Sequence, residues 1–511
     1  MGRPFARAVV VVAVCAFAVT GRAAGIDLPE TAALTEADGA IRVVEHVNQV
    51  TAIVHVNVVP MTADRVDSDQ TVLIVGGEIT AVGPSQQVAV PGNADVIYGD
   101  GAYLMPGLAD MHVHTREDWM GGRWPVRPMY LYLANGITTI RDFGPTGSDL
   151  TYALRWRDEL DSGAMTGPAL FTSGMHVRYD TGTTMSPQEI VQWNSTQGFD
   201  FLKIYSYLTY ADYQEAMATS RQLGMYTAGH IPYTVGLGGV IAEGMNEIAH
   251  IEELDWEFVD FDRNASLPWA DWLPFVIGRV LQQFDISAGF DRDDFLAEYG
   301  DRLATVVGLL QTNQVPVCTT MIIDDRIVEK LFAPEEFLSR PEIIYLPQDY
   351  LQAFMAGVEK HQLQFLGIED LAHYKYELDK LLLDELHRAG VPLLLSTDSG
   401  GGNMGIVPGF SIHDELQILI ENGFTPFEAI ATGTVNAARV AEEMVGSGDF
   451  GTVEVGKRAD LILVDGNPLD DVENMRTPLG VMAGGKWYSA ASLRRMIAVA
   501  RWRRPSGRVT P

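Results

Sequence analysis

The residues best placed to do chemistry gather first in Leu104-Met-Pro-Gly-Leu-Ala-Asp-Met-His-Val-His-Thr115. A short apolar run ends in His112 and His114, two residues apart. Strand side chains alternate between faces, so residues at i and i+2 project to one side. Two neutral imidazoles leaving one strand end together are spaced to hold a single metal ion. A bare His-x-His recurs by chance and equally fits two polar residues at a strand end. Its weight comes from the rest of the chain. Lys203, His230, His250 and Asp398 each stand at the end of an apolar run of their own, and four of the eleven histidines fall at such ends.

Lys203 is the odd member of this set. An ammonium has no lone pair and is a poor metal ligand. Buried among cations, a lysine is driven toward its neutral form. A neutral amine can take up carbon dioxide as a carbamate, whose two oxygens can bridge two metals. The alternative is a partly buried lysine paired with an acid.

The elements that must position these residues follow a clear rhythm. From 49 to 107 the pattern is β: Val50–Val59, then Thr71–Val75 turning through Gly76-Gly77 into Glu78–Gly83 as a hairpin. After His114, helical segments separate apolar runs at 136–142, 169–173, 201–205, 225–230, 247–251, 315–320 and 391–398. With the His-x-His strand these make eight strands, which predicts an α/β chain with a (β/α)8 TIM-like barrel. Strand ends in such a barrel converge on one mouth, where catalytic residues sit. Two connections, 252–314 and 321–390, are long, rich in aromatic and acidic residues, and expected over the site as a lid or oligomer surface. Thr425-Pro-Phe-Glu428 reads as a capping box opening a helix that Gly446 closes. β character returns at Gly451–Val455, Ala459–Val464 and Leu479–Met482, with Gly484-Gly485 as a turn. β segments on both sides of the barrel predict a small β-sandwich domain built from both chain ends.

Composition narrows the class. A chain of 511 residues with 47% hydrophobic and 20% charged residues is globular and large enough for a barrel plus an accessory domain. A net charge of −31 argues against binding nucleic acid or anionic membrane through the general field. Residues 1–24 read as a secretory signal: Arg3 and Arg7, an apolar run from Ala8 to Val19, and small residues around Gly21-Arg-Ala23. Its removal would take away three arginines and leave −34. The mature chain is expected to be exported, to the periplasm or beyond. It keeps one cysteine, Cys318, and so has no internal disulfide. No later run suits a membrane span. The expected layout is a signal at 1–24, the N-terminal part of the β domain at 25–103, the barrel at 104–446, the C-terminal part of the β domain at 447–490, and a basic tail at 491–511. Arg494–Arg508 holds six arginines, read as a solvated tail or as a dock for an acidic neighbouring subunit of a homo-oligomer.

Met-Pro-Gly-Leu-Ala-Asp-Met-His-Val-His, Phe201-Leu-Lys-Ile-Tyr, Gly229-His-Ile-Pro, Ile248-Ala-His-Ile-Glu, Ser396-Thr-Asp-Ser-Gly and Gly456-Lys-Arg-Ala-Asp-Leu together resemble the amidohydrolase superfamily, in its imidazolonepropionase-like and prolidase-like branch. The resemblance runs over roughly residues 50–490. It implies two divalent metal ions, zinc foremost. His112, His114 and Asp398 would hold the buried ion and His230 and His250 the outer one. Carboxylated Lys203 would bridge them, with a water-derived hydroxide between. Asp398 would act as general base and then acid. True imidazolonepropionases are expected to lack this lysine, so Lys203 speaks against that activity. The implied function is exported hydrolysis of an amide or peptide-like C–N bond in a small molecule such as a dipeptide or N-acyl amino acid. A lactonase, organophosphate hydrolase or deaminase at the same metals, and a non-enzymatic binding protein, are the rivals. His176 and Tyr205 are weaker candidates for substrate contact. His413, near a helix start, is read as support for the rim.

Overall fold

Among the described residues sixteen strands divide between an antiparallel-rich sheet, made from segments before and after the parallel strands, and a parallel set that carries the candidate ligands. The computed structural model describes residues 50–117, 128–178, 184–400 and 404–500. The expected secretory signal, the peripheral stretch after it and the last eleven residues lie outside the described residues.

The first sheet contains β1 (Val50–Val58), β2 (Asp67–Val75), β3 (Glu78–Pro84), β4 (Asp95–Tyr98) and β5 (Tyr103–Pro106). Gly76 and Gly77, both at positive φ, make the expected β2–β3 turn. From the far end of the chain come strands at Leu461–Val464, Gly480–Ala483 and Lys486–Ser489. The first of these pairs antiparallel with β5. All eight strands belong to one hydrogen-bonded sheet around a core that includes Ile53, Val72, Leu104, Leu461 and Met482. Strands from before and after the parallel set thus share one continuous sheet. Gly451–Val455 forms no strand; Val453 instead donates its N–H to the Pro60 carbonyl at 3.0 Å.

The parallel set comprises β6 (Leu108–Val113), β7 (Ile137–Asp142), β8 (Ala169–Thr172), β9 (Phe201–Ile204), β10 (Tyr226–Gly229), β11 (Glu247–Ile248), β12 (Val317–Cys318) and β13 (Leu393–Leu394). These are the eight predicted runs. Every residue of β6, β7, β9 and β10 is buried, as parallel strands covered on both faces require. β6–β7–β8 form one sheet and β9–β10–β11–β12–β13 another. A parallel bridge joins Ser173 to Phe201, and another joins Val113 to Ser399. Across the second junction the Met111 N–H donates to the Leu395 carbonyl at 2.9 Å and the Asp398 N–H to the His112 carbonyl at 2.8 Å. The architecture is that of a TIM-barrel-like α/β fold.

Three connections differ from expectation. The single helix expected over 425–446 is two, Pro426–Thr432 and Val435–Val445. The break falls at Gly433, whose carbonyl accepts from the Ala109 N–H at 2.7 Å and whose missing side chain leaves room for Leu395. A strand hydrogen bond thus replaces a helical one. The long connections are helical, with Ile251–Glu257, Trp272–Gln283 and Arg292–Asn313 in the first and Ile322–Phe332 through Asp370–Ala389 in the second. The basic tail begins as a helix, Ala490–Ala500. Its Leu493, Met496 and Ala500 are buried on one face while Arg494 and Arg495 stay exposed.

Candidate metal centre

His112 and His114 leave the end of β6, and Asp398 lies four residues beyond β13. Their ligand atoms lie within 4.8 Å of one another. His114 Nε2 is 2.9 Å, and His112 Nε2 3.5 Å, from Asp398 Oδ1. His230, after β10, and His250, after β11, stand alongside. The His112 and His250 ring centroids are 4.5 Å apart and those of His230 and His250 5.0 Å. The electric field of Lys203, on β9, acts on all four imidazoles and on Asp398. Chain positions almost 290 residues apart thus meet because parallel strands place their C-terminal ends side by side.

Each imidazole is held by its other nitrogen. His112 Nδ1 lies 3.2 Å from the Ala249 carbonyl and His114 Nδ1 3.2 Å from the Gly144 carbonyl. His230 Nδ1 meets the Glu253 carboxylate, and His250 Nδ1 meets Thr320 Oγ1 at 3.0 Å. A carbonyl only accepts, so His112 Nδ1 and His114 Nδ1 carry the proton; His112 Nε2 then presents a lone pair, while His114 Nε2 faces the Asp398 carboxylate. That is the arrangement of metal-binding histidines, whose second nitrogen donates to an oriented acceptor.

Charge and burial agree with this. Burial, reinforced by the Lys203 charge, holds His112 well below the ordinary imidazole range; His230 is likewise depressed and His250 is brought down to about 3. Burial would lower His114 too, but the charge and the hydrogen bond of Asp398 together outweigh it and raise the imidazole. Burial alone would raise Asp398; the His114 charge and hydrogen bond, with His250 and Lys203, hold it at about 2. Burial brings Lys203 down to about 8 against the opposing pull of Asp398 and Glu253. Its Nζ lies 4.6 Å from the Phe143 ring centroid, and among the described residues neither Lys203 Nζ nor His112 Nε2 finds a hydrogen-bond partner. Buried polar atoms are ordinarily satisfied. A cluster of imidazoles, one carboxylate and an unsatisfied buried amine suits divalent metal.

The backbone is bent to serve the site. Asp398 and Thr320 adopt positive φ, 59° and 44°, which L-residues with side chains rarely do. Gly229 precedes His230 at φ 153°, and a Cβ there would strike the Ile204 backbone. A row of buried carboxylates braces the rim. Asp110 accepts from Thr397 N at 3.1 Å and Thr397 Oγ1 at 2.6 Å, tying β6 to the segment after β13. Asp142 accepts from Gly144 N at 2.9 Å and from Thr115.

His176 and Tyr205, the weaker candidates, lie beside this cluster. Their rings are parallel with centroids 6.0 Å apart, and Tyr205 is 4.4 Å from the His230 ring. His413 is buried, its Nε2 3.0 Å from the Asn135 carbonyl, consistent with support of the rim. Sequence reasoning missed Glu253, Thr320, Asp110 and Asp142. Glu253 alone had a visible signal, an acid three residues after a candidate ligand.

Residues 380–488 match the model of the amidohydrolase family. A deacetylase of Brucella anthropi is 34% identical over 103 residues, 19% of this chain and 24% of that protein. The chain thus spans about a quarter of the length of that curated relative. Among solved structures, a Xaa-Pro dipeptidase superposes with TM-score 0.58 at 18% identity, covering 86% of this chain and 100% of the other. A bottromycin amidohydrolase superposes with TM-score 0.61 at 17% identity, covering 89% and 93%. At these identities the structural likeness speaks for the fold.

Proposed function

We propose that this chain, a member of the amidohydrolase superfamily, is an exported binuclear metal-dependent hydrolase that cleaves an amide or peptide-like C–N bond of a small molecule. The observation that carries the reading is the cluster of oriented Nε2 atoms around Asp398 beside an unsatisfied buried lysine amine. His112, His114 and Asp398 would hold one ion, and His230 and His250 a second. Bound metal would supply Lewis acidity for the scissile carbonyl and lower the pKa of attacking water.

The chain's own groups do the rest. Asp398 is ionised at neutral pH and takes the proton of the attacking water. It then returns that proton to the leaving nitrogen, acting first as base and then as acid. Lys203, near pKa 8, keeps a neutral fraction whose lone pair attacks carbon dioxide; loss of one N–H proton leaves the carbamate. Glu253 and Thr320 keep His230 and His250 turned toward the site. His176 and Tyr205 border the space a substrate would fill. In this reading the eight parallel strands close into a barrel over 104–446, supported by the bonds from β6 to the segment after β13. The terminal sheet wraps its core as a small sandwich. Export follows from the N-terminal signal, with cleavage near Ala24.

Metal analysis of purified protein, coupled to a screen of dipeptides and N-acyl amino acids, tests the proposal. Two divalent ions per chain and hydrolysis abolished by chelation are expected. Metal-free protein that hydrolyses these substrates equally well would overturn it.

A further inference from the structure

A row of aromatic rings leads away from the candidate metal centre, Tyr205 and Tyr207 from the segment after β9 and Trp269 from the first long connection. Tyr205 lies 4.4 Å from the His230 ring, Tyr207 5.8 Å from Tyr205, and Trp269 5.8 Å from Tyr207, all centroid to centroid. Tyr205 and Tyr207 are partly exposed, and Trp269 is 44% exposed. Behind them Tyr233 lies 6.0 Å from Tyr207 and stacks on Trp272 with an interplanar angle of 7°, both buried. The open rings therefore rest on a packed aromatic backing, which costs little further ordering when a ligand arrives. Tyr205 directly follows β9, which roots the row at the strand ends that carry the ligands. At the inner end of the row the charge is basic, with the Arg178 guanidinium 4.6 Å from the Tyr205 ring centroid, while Asp260 is paired with Arg302 at 3.1 Å and Arg263 is engaged by Glu257 and by the Tyr233 and Trp256 carbonyls.

We infer that Tyr205, Tyr207 and Trp269 form a specificity wall that takes an aromatic group on one side of the scissile amide. This rests on the hydrolase reading for the position of that bond. Ring faces and edges favour another ring in offset or edge contact over an aliphatic chain.

The test uses metal-loaded full-length protein and two readouts. Calorimetry compares N-acetyl-phenylalaninamide with N-acetyl-alaninamide. Steady-state kinetics compares kcat/KM for Phe- and Ala-containing dipeptides varied on either side of the bond. A preference of roughly 10-fold or more for the aromatic member is expected in binding, and on one side of the bond in kinetics. Trp269→Ala should cut that ratio to about 2-fold or less, while Trp269→Phe retains most of it. Equal binding of the two amides, or a ratio unchanged in Trp269→Ala, overturns the wall. Aromatic preference in binding without any hydrolysis leaves the wall standing and removes the hydrolase reading instead.

Discussion

Two buried polar layers occupy the parallel strands, and they are built on opposite principles. The lower one centres on Arg141 of β7 and Glu247 of β11, both fully buried. Arg141 Nη1 donates to Glu247 Oε2 at 2.8 Å, its Nη2 meets the other oxygen, and its Nε donates to the Met111 carbonyl at 2.9 Å. Tyr226 and Cys318 donate to the same carboxylate at 3.0 and 3.2 Å. Tyr226 stands four residues before His230 and Glu247 three before His250, so at strand rise this layer lies roughly 10 Å below the candidate ligands. Phe143 stands between the layers, with the Arg141 guanidinium 4.7 Å and Lys203 Nζ 4.6 Å from its ring centroid. Below it the arginine's bonds are made within the protein. Above it Lys203 and His112 each leave a nitrogen unpaired. Equal burial with unequal satisfaction separates a structural ion pair from a site waiting on a ligand.

Substitutions can break this contrast. The largest expected effect is below the phenylalanine. Arg141→Met leaves the Glu247 charge buried without its partner and should lower unfolding free energy by about 3–5 kcal/mol in urea titration. A loss under about 1 kcal/mol would mean the pair is not the anchor of that layer. Above it, Asp398→Asn should reduce turnover by at least about 100-fold while the urea midpoint stays near wild type. Turnover close to wild type would assign the proton transfer to another group.

Glu253 belongs to neither layer by burial alone, and its variant sharpens the boundary. It braces His230 Nδ1 with one oxygen and accepts from Ile231 N at 3.0 Å with the other. Burial, with the neighbouring Glu252, raises its carboxyl to about 7. Glu253→Gln should weaken metal binding by about 10- to 100-fold in chelator competition; unchanged affinity would make it a rim residue only. The smallest expected effect on stability is at Lys203. Because its amine has no hydrogen-bond partner, Lys203→Met should leave metal-free stability unchanged or raise it by about 1 kcal/mol, yet strip the protein of metal. A clear loss of stability would place Lys203 with Arg141, as a structural cation.

Much of the upper layer was legible in the chain. His112 and His114 share a face because strand period is two, and His230, His250 and Asp398 each follow a short apolar run. The lower layer was not legible. Arg141 and Glu247 are 106 positions apart, and a charge inside an apolar run does not name its partner. Thr320 and Asp110 were hidden for the same reason, since a hydrogen bond between distant segments leaves no periodicity. The helix expected across 425–446 failed at Gly433 because a local pattern cannot register that its carbonyl accepts from the Ala109 N–H of a distant strand. The last helix, Ala490–Ala500, was obscured by the arginines on its exposed face.

The sequence by itself determined the number of parallel strands, the residues at their ends and the terminal strands that flank them. Those are consequences of local hydrophobic period and turn chemistry, which act over a few residues. Tertiary structure decided which imidazole nitrogen faces the centre, which carboxylates brace it and which buried amine is left unpaired. It also brought Trp269 to Tyr207. Each of these depends on atoms far apart in the chain meeting within hydrogen-bond or ring-contact distance, and such distances exist only once the strands have been laid side by side.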